Sequence, residues 1–162
     1  MATVTAIILA RNEEQHIADC IKSIQWADEV LVIDDGSTDR TVEIAEGLGA
    51  KVIPHPLNND WSQQRRFGLS QASSDWILFI DSDERVSPEL AKSIKKVIQG
   101  ELKSYWLRRY NLFHHNQATH GVVRPDKVLR LMPREGATVE GAVHEAFISP
   151  YPQGTLEGKL YH

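Results

Sequence analysis

The segment WILFIDSDERV, residues 76–86, decides the fold of this chain. Its first five residues are apolar, which is typical of a strand buried on both faces of a parallel sheet. Asp81, Ser82, Asp83 and Glu84 follow directly. Carboxylates one residue apart repel each other, so Asp81 and Asp83 require a positive partner or water between them.

Strands and helices alternate outward from this segment. The predicted strands cover residues 5–10, 29–34, 50–55 and 75–81. The predicted helices cover residues 13–27, 37–49, 61–73 and 87–100. This alternation predicts an α/β fold, with a Rossmann-like, mainly parallel sheet flanked by helices. After residue 102 the pattern is richer in strands, which we predict at residues 104–113, 120–124 and 127–133.

The composition bounds the class of protein. The chain has 162 residues, 41% of them hydrophobic, and a formal net charge of −4, which suits one soluble domain. No apolar run reaches the roughly 18 residues of a membrane span, and the first residues read as a strand, not a signal peptide. The single cysteine, Cys20, leaves no partner for an internal disulfide and favours a reducing cytoplasm, with Cys20 as a core thiol.

Three polar clusters follow three of the predicted strands. They are ARNEE at residues 10–14, DDGSTD at residues 34–39 and DSDE at residues 81–84. Ligands of an open α/β sheet bind beyond the carboxyl ends of its strands, so these clusters predict one site. Asp81 and Asp83 could direct oxygens toward one Mg²⁺ or Mn²⁺ ion, together with substrate phosphates. The alternative is a turn in which Asp83 or Glu84 caps the next helix.

Two common phosphate-binding loops are missing from the sequence. There is no Gly-x-Gly-x-x-Gly after the first strand and no Gly-Lys-Ser/Thr loop, which argues against a Rossmann dehydrogenase and a P-loop NTPase. A diphosphate would instead be neutralised by a metal and by basic side chains such as Arg65. Residues 103–134 are a basic segment, which suits either a phosphate-bearing partner or a solvated strand face.

Three segments carry a family resemblance: IILARNEEQHIADCIKSI, EVLVIDDGSTDRTVEIAEGLGAKV and DWILFIDSDERVSPEL. They closely resemble family 2 glycosyltransferases of the GT-A fold, and within that family the bacterial lipopolysaccharide-core β-glucosyltransferases. The resemblance implies one catalytic domain over residues 1–162, with a nucleotide-sugar-binding half at 1–102 and an acceptor-side half at 103–162. Relatives continue beyond the position of His162, so we expect the chain to be C-terminally truncated relative to them.

The resemblance also implies roles for the polar clusters. Residues expected to bind the nucleotide sugar are Ala10, Asn12, Glu13, Asp34, Asp35, Arg65, Asp81 and Ser82. Among them, Asp35 would hold the uracil or ribose and Arg65 would lie near the diphosphate. The implied cofactor is Mn²⁺ or Mg²⁺, with Asp83 in direct contact, Asp81 in the ribose or metal shell, and His162 completing the shell.

The catalytic base is predicted from the stretch VEGAVHEAF, which resembles the family's Val-His-Glu segment. Glu145 is the preferred base and Glu140 the reserve, while the alternative for Glu145 is an exposed acid at a helix start. His144 would orient the base, touch the acceptor, or simply pack. The residues predicted to hold the diphosphate or an anionic acceptor are Arg124, Lys127 and Arg130, together with His144.

The implied reaction is a metal-dependent, inverting transfer of a hexose. The donor would be a nucleotide-diphospho-sugar, by family expectation UDP-linked, and the acceptor a saccharide or lipid-linked saccharide of the cell envelope or lipopolysaccharide. We expect a cytoplasmic protein with at most peripheral contact at the inner membrane face, and no nucleic acid partner. Two alternatives remain: a nucleotide-sugar-binding module without transfer activity, and a sugar-phosphate nucleotidylyltransferase, which usually has a glycine-rich loop that "LARNEEQH" lacks.

Overall fold

The computed structural model describes residues 1–111 and 125–162. Within these residues the chain forms ten strands and four helices. In chain order they are β1 (Val4–Ala10), α1 (Ile17–Lys22), β2 (Glu29–Asp34), α2 (Thr41–Gly47), β3 (Lys51–Pro54), α3 (Trp61–Gln71), β4 (Trp76–Asp81), β5 (Arg85–Val86), α4 (Pro88–Val97), β6 (Ser104–Tyr110), β7 (Asp126–Pro133), β8 (Thr138–Glu140), β9 (Ala146–Ile148) and β10 (Gln153–Tyr161).

Eight of the strands form one sheet in the order β3-β2-β1-β4-β7-β6-β10-β5. The first four are parallel to one another, as predicted. β7 is antiparallel to both β4 and β6, and β10 is parallel to β6 but antiparallel to β5. The sheet is therefore parallel in its first half and mixed in its second. β8 and β9 form a separate hairpin.

Helices cover both faces of the parallel half, because neighbouring residues of each strand point to opposite sides. Ile8 of β1 packs in the cluster that holds the buried side of α1 and α4, with Ile21 and Ile94. Ile7 packs on the other face with Phe79, against α3. This two-sided burial is why β4, which pairs with β1 and β7, is a continuous apolar run.

Cys20 is fully buried on α1 and is a free thiol, as predicted. Its Sγ lies 3.4 Å from the main-chain oxygen of Asp81. Burial raises the pKa of this thiol well above its usual value, and the nearby carboxylates of Glu84 and Asp81 raise it further.

Helix α1 is much shorter than the predicted helix at residues 13–27. Its end coincides with local competition for main-chain oxygens: the Ser23 hydroxyl donates to the Cys20 oxygen at 2.7 Å, and the Trp26 indole donates to the Ser23 oxygen at 2.8 Å. Helix α2 is also shorter than predicted, since the Asp39 carboxylate accepts the main-chain N–H of Thr41 and the helix starts only there.

Four strands of the structure were not predicted: β5, β8, β9 and β10. The burial of β10 alternates along the strand, but glycines occupy its inward positions 154 and 158, so Leu156 and Leu160 are its buried apolar residues and the sequence shows little apolar alternation. The strand predicted at residues 120–124 lies outside the described residues. No described helix combines the length and apolar character needed to cross a membrane.

Candidate active site

A cleft of about 430 Å³ opens at the carboxyl ends of β1, β2 and β4. This is the crevice in which the sequence predicted a site. The predicted residues that line it are Ala10, Glu13, Asp35, Arg65, Asp81, Ser82, Asp83, Glu145 and His162. Segments far apart in sequence therefore meet there: the ends of three parallel strands, helix α3, the β8–β9 turn and the end of β10.

Asn12 and Asp34 do not line the cleft but tie its loops together. Asn12 has a left-handed backbone with φ of 52°, and its side-chain oxygen accepts the main-chain N–H of Thr38 at 2.8 Å. The buried carboxylate of Asp34 accepts from both the main-chain N–H and the hydroxyl of Ser37, at 3.0 and 2.6 Å. Both predicted ligands thus act, in this structure, as supports of the β1 and β2 loops.

Asp35 does face the cleft, and its two oxygens have different surroundings. Oδ1 accepts the main-chain N–H of Leu57 at 2.9 Å, and Oδ2 lies 3.7 Å from a guanidinium nitrogen of Arg11. Glu13 lies nearby on the β1 loop. Burial raises the pKa of Glu13, and the negative charge of Asp83 raises it further.

Arg65 is the central cation of the cleft, although its side chain is only 5% exposed. Its Nη2 donates to Asp81 Oδ1 at 2.9 Å and its Nε donates to the Glu145 carboxylate. Its guanidinium carbon also lies 5.2 Å from the ring centre of Phe147. Arg65 therefore couples β4 to the β8–β9 turn through two carboxylates.

Arg130 corrects a prediction, because it is buried and does not line the cleft. Its Nη1 donates to Glu84 Oε1 at 2.7 Å, and its Nη2 lies 3.3 Å from Asp81 Oδ2. Glu84 is fully buried and also accepts the main-chain N–H of Asp81 at 2.7 Å. Arg130 is thus paired with Asp81 and Glu84, and it is not among the residues that line the cleft.

The repulsion between Asp81 and Asp83 is relieved largely by the chain itself. Burial alone would raise the pKa of Asp81, but Arg130 and Arg65 hold it well below its usual range. Each oxygen of Asp81 faces one of these guanidinium groups. From the sequence we expected a divalent metal ion to neutralise both Asp81 and Asp83. In the structure Arg65 and Arg130 neutralise Asp81, so a metal ion would be needed only beside Asp83.

Asp83 faces His162 across 3.1 Å, from Oδ2 to Nε2; their side chains are 33% and 27% exposed, and both line the cleft. No three histidine, cysteine or acidic side chains gather as a metal cluster in the parts of the chain that the structure describes. One carboxylate and one imidazole in a cleft wide enough for phosphate oxygens and water nevertheless suit Mn²⁺ or Mg²⁺, which commonly share substrate phosphates as ligands.

The β8–β9 turn brings Glu145 into the cleft. The turn is fixed to the start of α3, where the Ser62 hydroxyl donates to the Gly141 oxygen at 2.7 Å. Gly141 has φ of 94°, and a Cβ there would lie 2.2 Å from the His144 oxygen, so the tight turn requires glycine. Glu145 is not an exposed acid at a helix start, since it lies beside β9 and Arg65.

The other predicted acceptor-side residues lie away from the cleft formed by the described residues. Glu140, at the end of β8, and His144 are exposed and do not line it. Lys127 is exposed near the start of β7, opposite Arg108 on β6. Arg124 lies outside the described residues.

Sequence reasoning missed several cleft residues, notably Leu57, Trp61 and Gln64. They belong to the loop after β3 and the start of α3. The signal was available, because the polar stretch HPLNNDW at residues 55–61 also follows a parallel strand, and the strand-end rule applies to it equally. Arg11 and Val143 were also missed and line the cleft rim.

Comparison with known sequences identifies the family. Residues 5–147 match the Glycosyl transferase family 2 profile. The chain belongs to this family. Its relatives include an uncharacterized glycosyltransferase of Rickettsia typhi, 32% identical over 157 residues, which cover 91% of this chain and 53% of the relative. The chain thus spans about half the length of such relatives.

A second relative carries a named pathway. The lipopolysaccharide core biosynthesis glycosyltransferase LpsC of Rhizobium meliloti is 27% identical over 172 residues, which cover 98% of this chain and 62% of the relative. It agrees with the branch of the family that the sequence motifs resembled.

Solved structures confirm the GT-A fold. Staphylococcus aureus TarS 1–349 aligns with a TM-score of 0.59 and 25% identity, over 74% of this chain and 38% of that chain; it has also been crystallised with UDP and with UDP-GlcNAc. Glucosyl-3-phosphoglycerate synthase of Mycobacterium tuberculosis aligns with a TM-score of 0.62 and 24% identity, over 83% of this chain and 57% of that chain.

Proposed function

We propose that this chain transfers a hexose from a UDP-linked donor to a saccharide acceptor, with inversion at the anomeric carbon. The observation that carries the proposal is the single cleft in which Asp35, the Asp83–His162 pair and the Arg65–Glu145 pair converge. Family membership supports glycosyl transfer, and the TarS complexes with UDP and UDP-GlcNAc support the donor class.

The donor would lie along the strand ends. Asp35 Oδ1 accepts the main-chain N–H of Leu57, so Oδ2 is the oxygen that would accept a hydrogen bond from the ribose or the uracil. Asp83 and His162 would hold Mn²⁺ or Mg²⁺ beside the diphosphate. The metal, when bound, would supply positive charge next to the departing diphosphate. Arg65, which lines the same cleft and pairs with Asp81, adds a fixed cation there.

Glu145 is the proposed base. In the reaction an acceptor hydroxyl gives its proton to the Glu145 carboxylate, its oxygen bonds to the anomeric carbon, and the bond from that carbon to the diphosphate oxygen breaks, releasing UDP. The Nε–H of Arg65 orients this carboxylate in the cleft. Glu140 would not serve as readily, since it lies on the exposed end of β8.

The finer parts of the proposal concern the acceptor and the place of action. The sequence resemblance to lipopolysaccharide-core β-glucosyltransferases favours glucose or another hexose as the sugar. The relative named for lipopolysaccharide core biosynthesis supports an acceptor of the cell envelope, for which we propose a lipid-linked, phosphorylated saccharide. The protein would then act in the cytoplasm at the inner face of the membrane, with residues 1–162 as one catalytic domain. Equal rates with anionic and neutral acceptors would overturn the phosphorylated acceptor.

Titration calorimetry of UDP into the chain, with and without Mn²⁺, tests the donor site. Asp83→Asn should abolish the Mn²⁺-dependent gain in affinity, because it removes a charged ligand. Asp35→Asn should weaken binding about tenfold with or without Mn²⁺, as expected for a charge-assisted hydrogen bond. Asp19→Asn, exposed on α1, is the matched control and should bind like wild type. Binding that is tight without metal and unchanged in Asp83→Asn would refute the metal role of Asp83.

Glu145→Gln tests the base. The amide oxygen can still accept from Arg65, so donor binding should persist while transfer falls by about 10²–10⁴-fold. Glu140→Gln is the control and should retain transfer. Normal transfer by Glu145→Gln would overturn the assignment. Donor binding without transfer by wild type would indicate a binding module, and release of pyrophosphate a nucleotidylyltransferase.

A further inference from the structure

His162 is held on both sides of its ring, and only one side faces the cleft. Its Nε2 lies 3.1 Å from Asp83 Oδ2, and its Nδ1 lies 2.7 Å from Asn111 Oδ1. Asn111 in turn has its amide nitrogen 3.2 Å from Asp126 Oδ2. The three residues Asp126, Asn111 and His162 thus form a chain of hydrogen bonds that ends at the cleft.

The sheet register produces this chain of contacts. Asn111 follows β6, which lies between β7 and β10. Arg109 of β6 pairs with Asp126 of β7, and Tyr110 pairs with Tyr161 of β10. The main-chain N–H of His162 donates to the Tyr110 oxygen at 2.9 Å, which places the imidazole beside Asn111.

The orientation of the Asn111 amide follows from Asp126. A carboxylate can only accept, so the NH₂ group of Asn111 must face Asp126 and its oxygen must face His162. The amide oxygen also can only accept, which requires the proton of His162 to be on Nδ1. In neutral His162 the lone pair on Nε2 then points toward Asp83.

This arrangement opposes what Asp83 would otherwise select. A lone imidazole beside a carboxylate places its proton between the two, as Nε2–H donating to Asp83, and such a nitrogen cannot bind a metal. The Asn111 oxygen is the nearer acceptor, at 2.7 Å from Nδ1 against 3.1 Å between Nε2 and Asp83, and this geometry favours the proton on Nδ1 instead. Two acceptors, Nε2 and the Asp83 carboxylate, are thereby left side by side, which is the arrangement that a cation requires.

We propose that Asn111 and Asp126 are positioning residues that fix the Nδ1–H tautomer of His162 and so make its Nε2 a metal ligand. The inference rests on the proposed function, since it assigns an outer layer to that metal site. The acceptor-side strands β6 and β7 then determine how the donor site binds its metal.

Two readouts on the full chain test the proposal. The first is the ¹⁵N spectrum of labelled histidine at about pH 8, with the His162 signals assigned by their loss in His162→Gln. Nδ1 of His162 should carry a proton in wild type and lose it in Asn111→Leu, where the proton moves to Nε2. The second is Mn²⁺ affinity in the presence of UDP, measured by electron paramagnetic resonance, which should fall about 10–100-fold in Asn111→Leu.

An exchange of the two side chains separates this role from a merely structural one. Asn111→Asp combined with Asp126→Asn keeps an oxygen at position 111 facing Nδ1–H of His162. It also keeps one hydrogen bond between positions 111 and 126, in which position 126 now donates and position 111 accepts. The double variant should restore the Nδ1–H tautomer and most of the Mn²⁺ affinity, whereas Asn111→Asp alone sets two carboxylates together and should recover less.

Each outcome decides the inference. A wild-type His162 with an unprotonated Nδ1, or an Asn111→Leu variant with unchanged tautomer and Mn²⁺ affinity, overturns it. A wild-type chain that binds no Mn²⁺ with UDP overturns both the inference and the metal-dependent part of the proposed function. Mn²⁺ binding that depends on Asn111, in a chain that transfers no sugar, would sustain the inference and refute the transferase activity alone.

Discussion

Arg130 and Lys127 lie three residues apart on β7 and differ in what their positive charge does. The Arg130 side chain is 5% exposed and neutralises Glu84 and Asp81, while Lys127 is exposed. Arg130→Met should lower the free energy of unfolding by about 3–5 kcal/mol, because the fully buried Glu84 loses its shortest ion pair and Asp81 loses one of its two guanidinium partners. Lys127→Met should stay within about 0.5 kcal/mol. Urea unfolding of the two variants measures this, and equal losses would contradict it.

For Asp81 and Asp83, the sequence predicted the position of each residue but not its partners. Asp81 and Asp83 could be placed at a strand end, because the apolar run before them is a local pattern. Their partners could not be identified: Arg65 and Arg130 are 16 and 49 residues away from Asp81 in the chain. Arg130 was predicted to contact a ligand because it lies in a basic segment. The sequence of a strand does not show whether a basic residue on it is exposed or, like Arg130, buried.

At the scale of elements, the contact between α3 and β1 depends on a residue without a side chain. A Cβ on Gly68 would lie 2.8 Å from Ile7 Cγ2. Gly68→Ala should therefore cost about 1–3 kcal/mol of stability through overpacking. Gly47→Ala in α2 is the matched control, since nothing lies within 4 Å of its added Cβ, and it should stabilise by up to about 1 kcal/mol. Thermal unfolding that shifted both variants in the same direction would contradict the prediction.

The cap at the start of α3 predicts that the stability of the fold depends on pH. Asp60 caps the helix by accepting the main-chain N–H of Gln63 at 3.0 Å, and this hydrogen bond lowers the pKa of Asp60 below its usual value. A lowered pKa means that the ionised cap stabilises the fold above the unfolded-state pKa of about 3.9, and that this contribution is lost as the pH falls through the folded-state pKa.

Asp60→Asn isolates this effect, because asparagine caps as well but does not ionise. The stability advantage of wild type over Asp60→Asn should be present near pH 6 and shrink as the pH falls below about 4. Denaturant unfolding at several pH values measures the difference between the two proteins, which cancels the titration of other groups. A difference that stays constant or grows toward low pH would contradict the assignment.

Elements differ in how well local sequence predicts them. Helix α4 was predicted closely, since Ser87 and Pro88 mark its start through a cap and a fixed φ. Helix α1 was predicted too long because apolar spacing continues through Ile24, while side-chain hydrogen bonds at Ser23 and Trp26 end the helix first. Apolar spacing predicts which residues are buried and does not predict where a helix ends. Ile24 is fully buried, as its spacing indicates, but it lies in a turn.

At the scale of the whole molecule, the β-rich half is joined to the parallel half by pairings between distant strands. β7 pairs with β4, and β10 returns to pair with β5. The sequence predicted the parallel half well, because each strand there is followed by its own helix. It could not predict the order of the mixed half, since no local pattern specifies which distant strand is the neighbour.

One continuous sheet predicts that both halves unfold together. Leu131 of β7 is fully buried opposite Leu78 and Tyr105, in a cluster that includes residues of both halves. Leu131→Ala should cost about 2–5 kcal/mol. Because the unit is cooperative, hydrogen exchange should show equal loss of protection for the slowest amides of β1–β2 and of β6–β7. Leu102→Ala, at an exposed leucine, is the control and should change neither. Loss confined to β6–β7 would mean that residues 1–102 fold as a separate unit, against the single domain expected from the sequence.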